Sequence, residues 1–206
     1  PSSNGAYSLR QLSSTYNGSA IQVRRDSDNT TLDIGFINNE LDTASITVFC
    51  SGVNGFVSMW YDQSGNSRDA SQSTVTRQPK IYDSVTGVYS LNGKPSMDWT
   101  TGNANIGFSR TLFPGADSLS ISSVFSSKEP IGTSYSRLLT IGGLSTTDSV
   151  FFPINYPSAF LNWEVGSTVC GANGYDNPTG ATVVTPGLFI PYDSTTQNLL
   201  SVFLKR

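Results

Sequence analysis

Histidine is absent from this 206-residue chain, and its absence removes several kinds of chemistry at once. Without an imidazole there is no Ser-His-Asp or Cys-His catalytic apparatus and no histidine-based zinc site. Any catalysis therefore depends on carboxylates, tyrosine, lysine or a bound ion. Charged residues are also scarce, at 13% of the chain, which is about half the usual share. Glycine, serine, threonine and asparagine take their place, which is typical of a β-rich protein with many turns.

Cysteines, basic clusters and long apolar runs are also few. Cys50 and Cys170 are the only thiols. Their separation is not that of a zinc or redox motif, and the sequence leaves open whether they pair or lie as small buried side chains. The formal net charge is −3 and the longest basic run is Arg24-Arg25, so we expect no nucleic-acid partner. No apolar run approaches the roughly 20 residues of a membrane helix, so we expect no membrane span.

The hydrophobic pattern predicts one domain over residues 1–206, and because the chain starts at Pro1 we expect it to be processed or part of a longer chain. A short N-terminal helix is predicted over 6–16. The rest alternates apolar and polar residues in short strands, such as 46–50 and 199–204, between turn clusters about ten residues apart. This spacing predicts an all-β sandwich or jelly roll. The Asn92-Gly93 pair predicts a tight hairpin.

The most informative segment follows the predicted strand that ends at Trp60 and Tyr61. An acid, an amide, a hydroxyl, a glycine and an asparagine occur there in succession. Such side chains form hydrogen bonds with nearby backbone and hold turns, although the same groups also suit an ion or a sugar hydroxyl. The predicted structural turn comprises Asp62, Gln63, Ser64, Gly65 and Asn66.

A second polar run, over residues 24–29, follows another predicted strand. We expect local ion pairs there, each worth less than about 1 kcal/mol when exposed. Asp26, Asp28 and Asn29 are three oxygen-bearing residues close together, and oxygen is the ligand that calcium prefers. Calcium is therefore the one cofactor with any support in the sequence, and we otherwise expect none.

Several blocks of the sequence occur in a recognisable order. They read YSLR at 7–10, QVRRDSDN at 22–29, WYDQSGN at 60–66 and LNGKP at 91–95. In order and spacing they resemble the catalytic β-sandwich of the α-L-arabinofuranosidase B family. They are also similar to the wider set of concanavalin A-like (laminin-G-like) lectin and glucanase modules. The resemblance implies a concanavalin A-like jelly-roll sandwich of antiparallel sheets and a role in carbohydrate recognition.

The same resemblance implies that the catalytic residues of the family are missing. The family's nucleophile is a glutamate in a loop of the Tyr-Gly-Asn-Ala-Glu type, and Leu144 stands at about that position here. The family's acid/base aspartate belongs to the last strands, and this chain ends at Arg206, so we expect those strands to be absent. The family's small disulfide near Cys50 also lacks its second cysteine, because Gly55 falls there.

A displaced pair of carboxylates is the alternative by which the chain would still be an enzyme. Retaining glycosidases need two carboxylates about 5–5.5 Å apart, and inverting ones a wider pair. Glu164 is the one glutamate that lies beside an aromatic residue on a predicted strand. With Asp148 or Asp176 it would form such a pair, whereas the simpler interpretation is an outward-facing strand residue.

Aromatic and amide side chains in the loop-rich C-terminal half suit a glycan, which is bound by ring stacking and hydrogen bonds. Trp60 and Trp99 are expected to lie in the core, because aromatic side chains bury large areas. Trp163 is the preferred stacking residue because it lies among loop-rich sequence. The candidate glycan-binding residues are Trp163, Asn162, Glu164, Tyr175 and Asp176.

These features predict a non-catalytic, lectin-like structural module on the surface of a virion, as capsid decoration, fibre or tail of a phage or large virus, or in another extracellular assembly. Absent last strands would leave unpaired edges that invite strand addition. We therefore expect an oligomer, with copies of the chain or other protein subunits as partners and glycans as ligands. Two alternatives remain: a secreted carbohydrate-binding module, and an arabinofuranosidase-like glycoside hydrolase with displaced carboxylates.

Overall fold

The chain folds into two compact units, Pro1–Leu112 and Phe113–Arg206. The structure, a computed structural model, describes residues 5–100 and 104–107 with their side chains and the strands of the second unit by their backbone. The prediction of a single domain over residues 1–206 stays a prediction.

The first unit is built around an antiparallel sheet with the strand order β2-β1-β5-β7-β8, to which β6 adds alongside β5. Two small hairpins, β3–β4 and β9–β10, accompany it. Its elements are β1 (Ile21–Arg25), β2 (Thr31–Ile34), β3 (Phe36–Ile37), β4 (Glu40–Leu41), α1 (Thr43–Cys50), β5 (Gly55–Trp60), β6 (Ala70–Ser71), a 3₁₀ turn (Val75–Arg77), β7 (Lys80–Asp83), β8 (Gly87–Val88), β9 (Ser90–Leu91) and β10 (Lys94–Pro95).

The hydrophobic core lies between one face of this sheet and helix α1. Strands β1 and β5 contribute Val23 and Val57, which are cross-strand partners and fully buried. Helix α1 contributes Ile46 and Cys50, which are four residues apart and therefore share one side of the helix. Because alternate strand residues point to opposite faces, Gln22 and Arg24 on β1 and Phe56 and Ser58 on β5 lie on the other face of the sheet.

Helix α1 occupies residues that the sequence predicted as a strand over 46–50, so that prediction is wrong. The β-branched residues of TASITVFC favour a strand locally. The helix is nevertheless fixed at its N-terminus by Asp42, whose Oδ1 accepts from the Ser45 backbone N–H at 3.0 Å. Burial of Ile46 and Cys50 against the sheet then outweighs the modest propensity term.

The predicted N-terminal helix over 6–16 is also wrong, because this segment is extended and irregular. Two of its backbone donors are taken by side chains from a distant part of the chain. The N–H groups of Ala6 and Leu12 bond to Asp62 Oδ1 and Gln63 Oε1, both at 2.9 Å. These side-chain acceptors replace the bonds that a helix would supply.

The hairpin predicted at Asn92-Gly93 is confirmed. Leu91 pairs with Lys94 across the turn, and Asn92 and Gly93 have φ values of 51° and 74°. Positive φ at both central residues is the requirement of a type I′ turn, which matches the twist of the two strands.

The second unit also consists of antiparallel strands. Strand β11 pairs with β16, while β12-β13-β14-β15 form a sheet. The terminal strand β16 pairs in register with β11 from Asn198 to Lys205, so the apolar C-terminal segment has a strand partner within the chain along one edge. The bounds are β11 (Ser118–Phe125), β12 (Ser136–Ile141), β13 (Val150–Asn155), β14 (Trp163–Val165), β15 (Thr168–Cys170) and β16 (Asn198–Lys205).

The two units together confirm the predicted fold class. All strand pairings in the described part of the chain are antiparallel, and one short helix accompanies them. This is the mostly-β architecture expected of an all-β sandwich. Within the same described part, no helix is long and apolar enough to cross a membrane.

Candidate functional site

Asp62 is the centre of the corner that follows β5. Its side chain is buried, and its two carboxylate oxygens accept four hydrogen bonds. Oδ1 accepts from the N–H groups of Ala6 at 2.9 Å and Ser64 at 2.8 Å. Oδ2 accepts from Ser64 Oγ at 2.7 Å and from the Arg68 N–H at 3.2 Å. The carboxylate thus closes its own turn and ties it to the N-terminal segment.

These bonds set the protonation state of Asp62. Burial is the largest influence and raises its pKa, because a charged group loses solvation. The bonds from Ser64, Ala6 and Arg68 favour the charged form and together outweigh burial, so the pKa of Asp62 lies below its ordinary value. The carboxylate is therefore ionised at neutral pH and acts as a structural acceptor.

Gln63 performs a second clamping role from the same turn. Its Oε1 accepts from the Leu12 N–H at 2.9 Å, and its Nε2 donates to the carbonyls of Ser8 at 2.9 Å and Arg10 at 3.1 Å. The side chain is buried, and it uses both ends of the amide. Residues 8–12 are consequently fixed to the corner by one side chain.

Among the other predicted turn residues, Ser64 caps the turn and Asn66 packs on it. The Ser64 hydroxyl accepts from Asn66 Nδ2 at 2.9 Å while it donates to Asp62. Gly65 has a φ of 83°, which an L-residue with a side chain rarely adopts. The corner therefore holds its shape through its own polar groups and a glycine.

Three aromatic rings lie beside this corner. The Tyr7 and Trp60 rings are 5.8 Å apart between centroids, and Trp60 and Trp99 are 6.4 Å apart. Trp60 is half-buried against the core, and its Nε1 has no acceptor among the described residues. Trp99 is 40% exposed, so the expectation that it is a core residue is wrong.

The polar face of the sheet brings together functional groups from several strands. Arg24 on β1 pairs across the strands with Thr31 on β2 and Phe56 on β5, and Phe56 pairs with Lys80 on β7. The Arg24 guanidinium lies 5.0 Å from the Phe56 ring centroid and the Lys80 Nζ lies 5.7 Å from it. An aromatic ring thus lies between two cations in the middle of this face.

A hydrogen-bonded network continues the polar face beside this row. Gln22 Nε2 donates to Asp33 Oδ1 at 3.0 Å, and Ser58 Oγ donates to Gln22 Oε1 at 2.9 Å. The Tyr61 hydroxyl donates to Asp33 Oδ1 at 2.8 Å. Burial and this bond raise the pKa of Tyr61, so its hydroxyl stays protonated at neutral pH. We define the polar face by Gln22, Arg24, Asp33, Phe56, Ser58 and Lys80.

Arg24 is the most constrained residue of the polar face. Only 6% of the residue is exposed. Its Nε donates to Gln78 Oε1 at 2.7 Å, and one terminal nitrogen, Nη1, donates to Asn29 Oδ1 at 2.8 Å and lies 3.5 Å from Asp26 Oδ1. No group among the residues described with side chains accepts from the other terminal nitrogen, Nη2.

The predicted calcium ligands are engaged by the two arginines. Asp28 accepts from Arg25 through both carboxylate oxygens, at 3.1 Å and 2.5 Å, and its Oδ1 also accepts from the Thr30 hydroxyl. Asp26 and Asn29 face Arg24. In the part of the chain that carries described side chains, no group of three or more acidic, Cys or His residues is placed to hold a metal ion. The calcium hypothesis has no geometric support there.

The predicted glycan-binding residues fall outside what the structure describes with side chains. Trp163 and Glu164 lie in β14, where the backbone of Glu164 is paired with Phe151 and Val169. Asn162, Tyr175 and Asp176 lie outside the described residues, as does Leu144. Their grouping into one site stays a prediction. Cys50 is buried as a free thiol, and burial raises its pKa to about 11.

Sequence reasoning missed the polar face, although a signal for it was present. Gln22 and Arg24 alternate with buried Ile21 and Val23, which is the period-two pattern of a strand with two different faces. The pattern shows that the second face is polar. It does not show which distant residues meet there, because Gln78 is 54 positions from Arg24.

Comparison with known proteins identifies a family that the first unit is similar to. The family model described as "Alpha-L-arabinofuranosidase B, catalytic" matches residues 2–95. A curated relative, alpha-L-arabinofuranosidase B of Emericella nidulans, is 35% identical over 95 residues. That match covers 41% of this chain and 19% of the relative, so the chain spans about a fifth of the length of the curated relative it matches.

Two solved structures are also similar. One is a GH54 α-L-arabinofuranosidase soaked with a cyclic sulfate inhibitor, with 16% identity, a TM-score of 0.48, and coverage of 81% of this chain and 40% of that chain. The other is an arabinofuranosidase complexed with arabinofuranosyl-α-1,2-xylobiose, with 15% identity, a TM-score of 0.49 and the same two coverages.

The sequence matches overturn the interpretation of the chain as a non-catalytic virion module. The matched family model is named for a catalytic domain, and the curated relative is an enzyme. Nothing in these matches points to a capsid, fibre or tail. The expectation that the chain is not an enzyme, which rested on Leu144, is contradicted by the same findings.

Proposed function

We propose that the chain is part of a glycoside hydrolase that removes α-L-arabinofuranosyl groups from polysaccharides. The observation that carries the proposal is the match of a catalytic-domain family model to residues 2–95. The corner formed by Asp62 and Gln63 falls inside the matched range, and its hydrogen bonds hold the N-terminal segment on the sheet. The alternative of an arabinofuranosidase-like hydrolase is thereby preferred to a structural module.

Hydrolysis of this kind requires one carboxylic acid that protonates the leaving oxygen and one carboxylate that acts as nucleophile or base. Glu164 on β14 is the proposed member of that pair, together with Asp148 or Asp176. Because the chain has no histidine, we assign general acid and base catalysis to carboxylates, which are the groups that glycoside hydrolysis commonly uses. The separation of the pair decides between retention and inversion of the anomeric centre.

The test is release of nitrophenolate from 4-nitrophenyl α-L-arabinofuranoside by the purified chain and by Glu164→Gln. We expect turnover by the wild type and a loss of about 10²-fold or more in Glu164→Gln, the typical contribution of a general acid or base. Glu40→Gln is the matched control, because Glu40 lies at the surface in an ion pair with Lys94 at 2.8 Å.

Each outcome has a definite meaning. Equal activity of Glu164→Gln and Glu40→Gln would move the catalytic pair away from Glu164. Absence of turnover in the wild type, with glycan binding retained, would replace the hydrolase by a carbohydrate-binding module.

We place the protein outside the cell, because polymeric arabinosyl substrates do not cross a membrane. Assembly with further copies of the chain stays a prediction, which the native mass in solution would test.

A further inference from the structure

We propose that the polar face of the first sheet binds an acidic sugar, with the carboxylate of a uronic acid held by Arg24. The inference rests on the proposed function in one respect, because it takes the ligand to belong to the polysaccharide that carries the arabinosyl groups. It goes beyond that function by naming a second sugar class and the residues that recognise it.

Arg24 is the anchor of the proposed site. Its guanidinium is fixed by Gln78 and Asn29 and lies on the Phe56 ring, so little rotational freedom is left to lose on binding. The described residues offer no acceptor to Nη2, and Nη2 is not among their buried polar atoms without a partner, so this nitrogen keeps access to solvent and is free to donate to a ligand. A carboxylate fits this position because the planar guanidinium presents its donors in a fork that matches two carboxylate oxygens.

Charge on the face favours an anion over a neutral sugar. Lys80 places a second cation over the same Phe56 ring, so the two cationic groups lie within about 11 Å of each other. The acid nearest to Arg24 is Asp26, at 3.5 Å, and its side chain is 53% exposed, so it neutralises the guanidinium only in part. Lys80 has its own partner in Asp83 at 3.4 Å.

The neighbouring groups suit the hydroxyls of a sugar ring. Gln22 lies two residues before Arg24 on β1, which places the two side chains on one face about 7 Å apart. Asp33 is exposed, and its Oδ1 already accepts from Gln22 and Tyr61. Its Oδ2 has no donor among the described residues and is oriented by these bonds to accept from a sugar hydroxyl. A ligand with a carboxylate at one end and hydroxyls at the other matches this order of groups.

The test is an NMR titration of the full chain with D-glucuronate and D-galacturonate, with D-xylose and acetate as comparison ligands. We expect the two uronates to bind about tenfold more tightly than xylose, since a hydrogen bond to a charged group is roughly that strong. Shifts should concentrate on the Arg24 Nε–H and on strands β1, β5 and β7. Raising the ionic strength should weaken uronate binding and leave xylose unaffected.

Two variants separate recognition from general charge. Lys80→Gln should lower uronate affinity several-fold, whereas Lys94→Gln, which removes an equal charge at a side chain that is 62% exposed and off this face, should not. Arg24→Lys should abolish the preference for uronate, because lysine keeps the charge and loses the fork. If Arg24→Lys fails to fold, the comparison of Lys80→Gln with Lys94→Gln still tests the proposal, because equal uronate affinities of these two variants would overturn it.

Contrary results are equally specific. Acetate binding as tight as glucuronate would reduce the site to an anion contact and overturn the sugar assignment. Xylose binding as tight as uronate would overturn the role of the carboxylate. Uronate binding without hydrolysis of 4-nitrophenyl α-L-arabinofuranoside would refute only the proposed function, while hydrolysis without uronate binding would refute only this inference.

Discussion

Replacement of Gln63 by glutamate tests whether the corner clamp holds the N-terminal segment. In Gln63→Glu, Oε1 still accepts from the Leu12 N–H, but a second oxygen replaces Nε2 and faces the carbonyls of Ser8 and Arg10. Two hydrogen bonds become two close contacts between acceptors, and a negative charge is placed on a residue that is 6% exposed. The change keeps the size and shape of the side chain, so packing is preserved.

The expected cost follows from these contacts. Each lost neutral hydrogen bond is worth about 0.5–1.5 kcal/mol, and placing an acceptor against the two part-buried carbonyls adds a cost near the lower end of about 1–3 kcal/mol. We therefore expect Gln63→Glu to lower the free energy of unfolding by roughly 3–4 kcal/mol at pH 7. Burial and the two carbonyls should raise the pKa of the new carboxyl above its unfolded value of about 4.3.

The raised pKa gives the variant a pH signature. A group with a raised folded-state pKa is least costly below its unfolded pKa, and the cost grows as the pH rises through the folded pKa. The difference in unfolding free energy between wild type and variant, measured by urea titration, should therefore be smaller at pH 4 than at pH 7. Gln72→Glu is the control, because Gln72 Nε2 also donates to a backbone carbonyl, that of Asn105, but in an exposed bond. The reasoning would be refuted if Gln63→Glu and Gln72→Glu lost the same free energy of unfolding to within about 0.5 kcal/mol. It would also be refuted if the loss in Gln63→Glu were the same at pH 4 and pH 7.

Other predictions concern the turn, the helix cap and the packing around β5. Because the pKa of Asp62 is lowered in the folded state, the stability that its carboxylate provides is present above about pH 4 and is lost as the pH falls through the folded pKa. The free energy of unfolding should therefore fall less steeply with decreasing pH in Asp62→Asn than in the wild type. Asp42→Ala should cost about 0.5–2 kcal/mol in thermal unfolding, because it removes the N-cap of α1; an unchanged Tm would contradict this. Gly55→Ala should cost about 1–3 kcal/mol, since its Cβ would lie 2.6 Å from Cys50 Sγ. Gly35→Ala, where nothing lies within 4 Å, should be near neutral, and equal losses at the two glycines would disprove the packing argument.

Short-range features of the fold could be predicted from the sequence. The strands that became β1 and β5 were recognised because apolar and polar residues alternate along them. The hairpin at Asn92-Gly93 was recognised because only a few residue types accept positive φ at both positions. The turn at Asp62 was expected for a similar reason, since its acceptors and donors lie within a few residues of each other. In each case the chemistry that decides the structure is contained in a short stretch of chain.

Tertiary structure decided the features whose partners are distant in sequence. The segment 6–16 is extended because Ala6 and Leu12 bond to residues 56 and 51 positions away, and no local pattern reports such bonds. Residues 43–50 are helical because the sheet buries Ile46 and Cys50, against the local preference of β-branched residues. Arg24 reads as a surface charge in the sequence, yet the pairing of β1 with β5 places it beside Phe56, and it also bonds to the distant Gln78. Local propensities are worth tenths of a kcal/mol per residue, whereas burial of a side chain is worth about 1.5–3 kcal/mol, so long-range packing prevails wherever the two disagree.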